Sequence, residues 1–284
     1  MAIAESELII NPNGTVYHLN LLPEHISDTI ITVGDPERVA KVSRHFDEMD
    51  VQVAKREFVT HTGYYRGKRL TVISTGMGTD NIDILMNELD ALVNIDFQSR
   101  EENEDKITLN LVRIGTSGSL QNSVPLGSHL ASHTSIGLDS LMEFYPLAQS
   151  EEETSIATAL QRELGLGFRP YCVTGSQKLI QKIAHDMLPG NTLTCPGFYA
   201  PQGRTLRGGL RNPNLLKTYN SFRHNEYMLT NFEMETAGYY SMGRILGHEV
   251  LSLNAIVADR VNHKFAENAE QVIDDLILKV LDRI

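Results

Sequence analysis

Residues 30–38 read Ile30-Ile31-Thr32-Val33-Gly34-Asp35-Pro36-Glu37-Arg38. Four apolar or β-branched residues ending in glycine are the signature of a short buried strand. Pro36 suits the first turn of a helix, since its missing N–H has no partner there. The stretch is therefore a strand–turn–helix joint, with the helix running to about Phe46. Gly34 lets backbone N–H groups approach an anion closely, and Arg38, one turn into the helix, can aim at the same anion. A plain joint carrying a surface arginine fits the same pattern. No Gly-Lys-Ser/Thr follows, so it is not a P-loop.

Working outward, 51–62 and 69–75 read as a hairpin or meander turning at Arg66-Gly67-Lys68. Ile82, Leu85, Met86, Leu89 and Leu92 recur at helical spacing and predict an amphipathic helix over 80–93. Residues 96–105 are polar and predict an exposed loop. Strands follow over 107–114, about 128–136 and 170–174, with helices over 151–164 and 177–187. The Pro/Gly-rich stretch 194–213 reads as loop. Helices over 214–224 and 235–246, a strand over 250–258 and a last helix with Val272, Ile273, Leu276 and Val280 on one face complete the chain. Strands alternating with helices predict a mainly parallel or mixed sheet covered by helices, in a single domain over 1–284. Ligands in such sheets bind beyond the carboxyl ends of strands. Gly34, Gly115, Glu233 and Asp259 each close a strand-like run.

The bulk properties narrow the function classes. Of 284 residues, 41% are hydrophobic, which supports a packed core. A net charge of −11 argues against a nucleic-acid surface, which needs a dense basic patch. A few focused arginines can still bind a small anion. Cys172 and Cys195 have neither disulfide-framework nor metal spacing. The acidic start Met1-Ala2-Ile3-Ala4-Glu5-Ser6-Glu7 lacks a signal-peptide pattern, and no stretch reaches the ~20 apolar residues of a bilayer span. The expectation is a soluble cytoplasmic protein without membrane or nucleic-acid partners.

Three clusters carry chemistry. In Asn231-Phe232-Glu233-Met234-Glu235-Thr236-Ala237, a carboxylate after a strand and before a helix can accept two hydrogen bonds from a vicinal diol, beside a carbon that turns positive. Arg113, ending an apolar strand before Gly115-Thr116-Ser117-Gly118-Ser119, must find an anionic partner. That partner is a ligand cradled by the Gly/Thr/Ser turn or an internal carboxylate such as Glu235. In Phe198-Tyr199-Ala200-Pro201-Gln202-Gly203-Arg204, an amide and a guanidinium two residues apart can face one ligand edge, and suit a pyrimidine. A polar surface loop has the same composition. Arg56, read as part of an alternating strand (Arg56-Glu57-Phe58), and His18 say little alone.

Together these residues resemble the nucleoside phosphorylase family of the hexameric type, most closely its uridine phosphorylases. Gly34-Asp35-Pro36-Glu37-Arg38-Val39, Arg56-Glu57-Phe58, Ser74-Thr75-Gly76-Met77-Gly78, Arg113-Ile114-Gly115-Thr116-Ser117-Gly118 and Glu233-Met234-Glu235-Thr236-Ala237 carry the likeness, in shared order from Tyr17-His18-Leu19 to Asp259. The resemblance implies a three-layer α/β/α fold with a distorted mixed central sheet, and a hexamer built as a trimer of dimers. It implies that Gly34, Arg38, Arg113 and Thr116 hold phosphate, with Arg56 completing that site from the neighbouring subunit. His18 would cross the same interface toward the ribose 5′-hydroxyl. Met234 and Glu235 would bind ribose, and Phe198, Gln202 and Arg204 the base.

The implied reaction is reversible phosphorolysis of uridine to uracil and ribose 1-phosphate. Inorganic phosphate is the co-substrate, and no metal or organic cofactor takes part. Arg113, Glu235 and Arg204 are the expected catalytic set. Two features depart from the pattern. Residues 97–106 look inserted, and Asp259-Arg260 places an acid where purine phosphorylases carry the group that protonates a leaving purine. A purine nucleoside phosphorylase using Asp259 is therefore the main rival. A phosphate-independent hydrolase and a nucleoside-binding protein on an enzyme scaffold are the others.

Overall fold

In a computed structural model, which describes residues 2–284, β1 (Thr29–Val33) and α1 (Pro36–Ser43) form where the opening stretch places them. The Asp35 side chain accepts from the Glu37 amide at 2.9 Å and Pro36 fills the first turn, so local sequence alone starts the helix. It stops at Ser43, short of Phe46, because residues 45 and 46 tighten into turns bonded to Val42 and Ser43.

The meander follows as β2 (Glu48–Lys55), β3 (Phe58–Tyr65) and β4 (Lys68–Ser74), then α2 (Thr79–Asn94). Arg56 is not in a strand. It stands in the tight turn between β2 and β3 at φ +54°, where pairing of Lys55 with Phe58 leaves only two residues to reverse the chain. The polar segment after α2 is a small exposed hairpin, β5 (Ile95–Asp96) with β6 (Glu101–Glu102).

Two further expectations are corrected. β7 (Asn110–Ser119) runs straight through Gly115-Thr116-Ser117-Gly118-Ser119, so this run is strand rather than turn. Its partner β14 (Glu249–Asp259) pairs with it in parallel from Glu249↔Asn110 to Asp259↔Ser119 and imposes the extended conformation. Between β8 (His129–Gly137), α3 (Glu151–Leu164), β9 (Tyr171–Thr174), α4 (Gln177–Ile183) and the loop after Thr194 stands β10 (Leu188–Thr194), which no sequence signal marks. Its Pro189 and Gly190 look like breakers, and the strand slips register at Gly190/Asn191. The chain ends with α5 (Leu215–Ser221), the hairpin β11 (Arg223–His224) and β12 (Tyr227–Met228), β13 (Asn231–Glu233), α6 (Thr236–Leu246), β14, β15 (Lys264–Phe265) and α7 (Ala269–Arg283).

The main sheet has eleven strands in the order β15-β14-β8-β10-β13-β7-β1-β4-β3-β2, with β9 beside β8. β14 also pairs with β7, so β7, β14, β8, β10 and β13 close on themselves into a barrel. This closure is the distortion of the central sheet. Helices cover both faces. α1, α4 and α7 pack Val39, Leu179 and Ile277 on Ile31, Val33 and Val112. α2 and α6 pack Leu85, Leu89 and Tyr239 on Ile30 and Leu111. Burial on both faces explains why β1 is apolar without alternation. α3 and α5 close a third cluster with Phe232. Among the described residues no helix is long and apolar enough to cross a membrane.

Candidate active site

A cavity of about 790 Å³ opens beyond the carboxyl ends of β1, β13 and β14 and along the second half of β7. Every expected site residue except Arg56 and His18 lines it.

One end gathers cations. Arg38 reaches in from the first turn of α1 and donates to the Ile114 carbonyl at 3.4 Å. Burial, and then the Arg113 guanidinium, hold its pKa below the ordinary value. Two guanidiniums close enough to repel, beside Gly34 and Thr116, form a site that an anion would stabilise. Arg113 is 5% exposed. A Cβ on Gly115 would lie 1.9 Å from Arg113 Nη1, so glycine there makes room for the guanidinium.

Arg113 lines the cavity and is paired with internal carboxylates. Its Nη2 donates to Glu235 at 2.5 Å and lies 3.1 Å from Glu233, while Nη1 reaches Asn254 at 3.2 Å. Burial opposes its charge, but Glu233 and Glu235 outweigh burial and raise its pKa. The two carboxylates differ. Glu233 accepts from the amides of Glu235 and Thr236 at the start of α6, and from the Thr194 hydroxyl at 2.7 Å. The helix start thus anchors it. Glu235 accepts one protein donor on each oxygen, the Gly78 amide at 2.9 Å and Arg113, which leaves lone pairs for hydroxyls. Burial pushes its carboxyl up, against the pull of Arg113 and with a further push from Glu233. Met234 lines the cavity between them.

At the other end, Arg204 donates to the Gln202 side-chain oxygen at 2.5 Å and the Phe198 carbonyl at 2.6 Å, and lies 3.6 Å over the Phe198 ring. Arginine only donates, so the Gln202 atom facing it is the oxygen and the amide NH₂ points away from it. Gln202 is 3% exposed. Burial, then the neighbouring Arg260, bring the Arg204 pKa down to about 10.

Asp259 lines the cavity but is occupied locally. It accepts from the amides of Val261 and Asn262, both at 2.9 Å, and from the Asn262 side chain at 2.7 Å. Burial pushes its carboxyl up, but these hydrogen bonds and Lys264 prevail and leave it below the ordinary value.

Arg56 and His18 lie away from this protomer's own cavity. Arg56 is exposed and 5.7 Å over the Tyr17 ring, and Tyr17 meets His18 edge-on at 4.7 Å. Tyr17 thus links the two into one patch outside the cavity.

Glu233 and Arg260 are among the cavity residues to which sequence reasoning gave no role. Glu233, next to Glu235, anchors Arg113. Arg260 sits 5.6 Å from the Phe232 ring, and its buried Nη1 has no partner among the described residues. An arginine ending a long apolar strand was the available signal, the same one that marked Arg113.

Known proteins share this fold. The uridine phosphorylase of Thermococcus kodakarensis is 27% identical over 91% of this chain and 82% of its own length. The DeoD-type purine nucleoside phosphorylase of Thermoanaerobacter pseudethanolicus is 26% identical over 89% of this chain and 91% of its own. Among solved structures, a Trypanosoma brucei nucleoside phosphorylase that shows uridine phosphorylase activity superimposes with a TM-score of 0.87 at 28% identity, covering 98% of this chain and 100% of that one. The family model of the phosphorylase superfamily matches residues 28–282, and the chain belongs to that superfamily.

Proposed function

We propose that this chain is a uridine phosphorylase, converting uridine and phosphate to uracil and ribose 1-phosphate and back. The observation that carries the reading is the Gln202–Arg204 pair, facing across one cavity from Arg38 and Arg113. Gln202 NH₂, Gln202 oxygen and Arg204 N–H read donor–acceptor–donor. The uracil edge, O2, N3–H and O4, is its complement. A leaving purine needs a proton at N7, and Asp259, committed to the turn after β14 and below the ordinary carboxyl range, is a poor donor.

In this reading Arg38, Arg113, Gly34 and Thr116 hold the phosphate dianion under C1′, and Glu235 and Met234 hold the ribose. As the C1′–N1 bond breaks, its electron pair leaves with the base and spreads over O2 and O4, where Gln202 and Arg204 stabilise it. A phosphate oxygen then bonds C1′. Orienting the dianion turns an encounter into a directed attack. Arg56 and His18 arrive from the adjoining subunit. A hexamer of single-domain chains, cytoplasmic and with phosphate as the sole co-substrate, belongs to the same reading. The similarity to relatives named uridine phosphorylase supports it.

The test is uridine and inosine assayed side by side, with and without phosphate, on the parent and on Arg113→Ala. Phosphate-dependent uridine cleavage is expected, and the variant should lose about 3–4 kcal/mol of transition-state stabilisation. Inosine cleavage with inert uridine, turnover without phosphate, or a fully active variant each defeats the proposal.

A further inference from the structure

The residues outside the cavity belong to a unit of their own. His18 ends an N-terminal arm seated on α2 and on the β5–β6 hairpin. At the start of the arm, the Ile3 amide donates to the Arg100 carbonyl and Arg100 Nε to the Ile3 carbonyl, both at 2.7 Å. Arg100 also reaches the carbonyls of Ala4 and Leu8. At its end, the Glu88 carboxylate accepts the His18 amide at 2.9 Å on each oxygen, the Leu19 amide at 2.8 Å and His18 Nδ1 at 2.5 Å.

A carboxylate only accepts, so Nδ1 carries a hydrogen toward Glu88. Among the described residues Nε2 makes no hydrogen bond, and the His18 side chain is 28% exposed against 11% for Glu88. A neutral imidazole held in this way offers a lone pair at Nε2, which accepts a hydroxyl hydrogen. The fixing of one ring nitrogen thus decides what the other can do. The same helix, α2, makes both contacts. Its N-cap amide, Gly78, holds Glu235 in its own cavity, and Glu88, about three turns on, holds the histidine that faces outward.

We propose that Glu88 is a positioning residue: by fixing the ring and tautomer of His18 it aims Nε2 at the ribose 5′-hydroxyl in the adjoining subunit's cavity. This rests on the uridine phosphorylase reading. Glu88 itself touches no substrate, and the alternative role is to stabilise the backbone turn at 18–19.

Uridine and 5′-deoxyuridine separate the two roles, because the second substrate lacks the hydroxyl that His18 would meet. On the intact oligomer, Glu88→Gln should lower kcat/KM for uridine by about tenfold, the weight of one hydrogen bond, and leave 5′-deoxyuridine within about twofold. His18→Ala should erase the same preference, and the double variant should go no further. Equal losses on both substrates, including those of a misfolded variant, assign Glu88 to stability and overturn the proposal. Histidine ¹⁵N NMR on the unsubstituted protein reads the arrangement directly: neutral His18 should carry its hydrogen on Nδ1, and an Nε2–H form overturns the proposal. A parent enzyme inert on both nucleosides removes the uridine phosphorylase reading itself, and the proposal with it.

Discussion

Two arginine–carboxylate pairs in this molecule, each with a buried carboxylate, look alike and are built for opposite ends. Glu153, on α3, takes both guanidinium nitrogens of Arg244 on α6 at 2.8 Å, together with the amides of Ser150 and Thr174 and the Thr174 hydroxyl. Burial works against its charge, but these partners win and hold it down at about 2. Arg113 instead presents one nitrogen to two carboxylates, and Glu235 is pushed up rather than down. The first pair is saturated and joins two helices far from the cavity. The second is mismatched in charge, keeps open lone pairs and borders the space where a ligand would sit. A buried carboxylate with its bonds filled serves structure, and one left incomplete beside a cavity is poised for substrate.

The contrast breaks first at Glu235. Glu235→Gln should cut kcat/KM for uridine by about 3–4 kcal/mol of barrier, with the thermal midpoint unchanged or raised, because one of two carboxylates competing for Arg113 is gone. Steady-state kinetics and calorimetry on the same preparation decide it. A stability loss as large as the activity loss would make the two pairs equivalent.

Glu153→Gln should do the reverse. It leaves Arg244 half-paired, and unfolding in denaturant should show a loss of about 2 kcal/mol, with kcat/KM within about twofold of the parent. A drop in activity without one in stability would contradict the assignment.

The same two acids should respond to pH with opposite signs. The pKa of Glu153 is lower in the folded chain, so its contribution to stability is complete above the ordinary value of 4.5 and is lost as pH falls from there toward about 2. The pKa of Glu235 is raised, so its contribution is present below the ordinary value and is lost as pH rises through the folded value. Denaturation midpoints of the parent and the two Gln variants should therefore converge at low pH for Glu153, and at neutral pH Glu235→Gln should be the more stable partner of its pair. Parallel pH curves would refute both.

The smallest effect is expected at Asp259. Asp259→Asn should change uridine kcat/KM by no more than about twofold, equivalent to about 0.5 kcal/mol, and should leave the ratio of inosine to uridine turnover unchanged. A large selective loss on inosine would restore the purine reading.

Where information is local, the residues alone determine the outcome. Ile30-Ile31-Thr32-Val33 followed by Asp35 and Pro36 makes a strand and a capped helix, because cap, first turn and apolar run all lie within a few bonds. The identity of Arg38, Glu235, Gln202 and Arg204 as site candidates was legible for a related reason: a charge or amide beside a strand end or glycine has few chemical uses. Tertiary structure alone decided the rest. Gly115 to Ser119 extend because β14 lies alongside, Pro189 and Gly190 enter a strand because β8 pairs with them, and Arg56 turns because β2 and β3 pair around it. The division of Arg113 between two carboxylates, the commitment of Asp259 to its own turn and the seating of His18 on Glu88 join groups as far as 122 residues apart or set neighbours in competition. Hydrogen bonds and burial act through space, and spacing along the chain does not encode who meets whom once the barrel has closed.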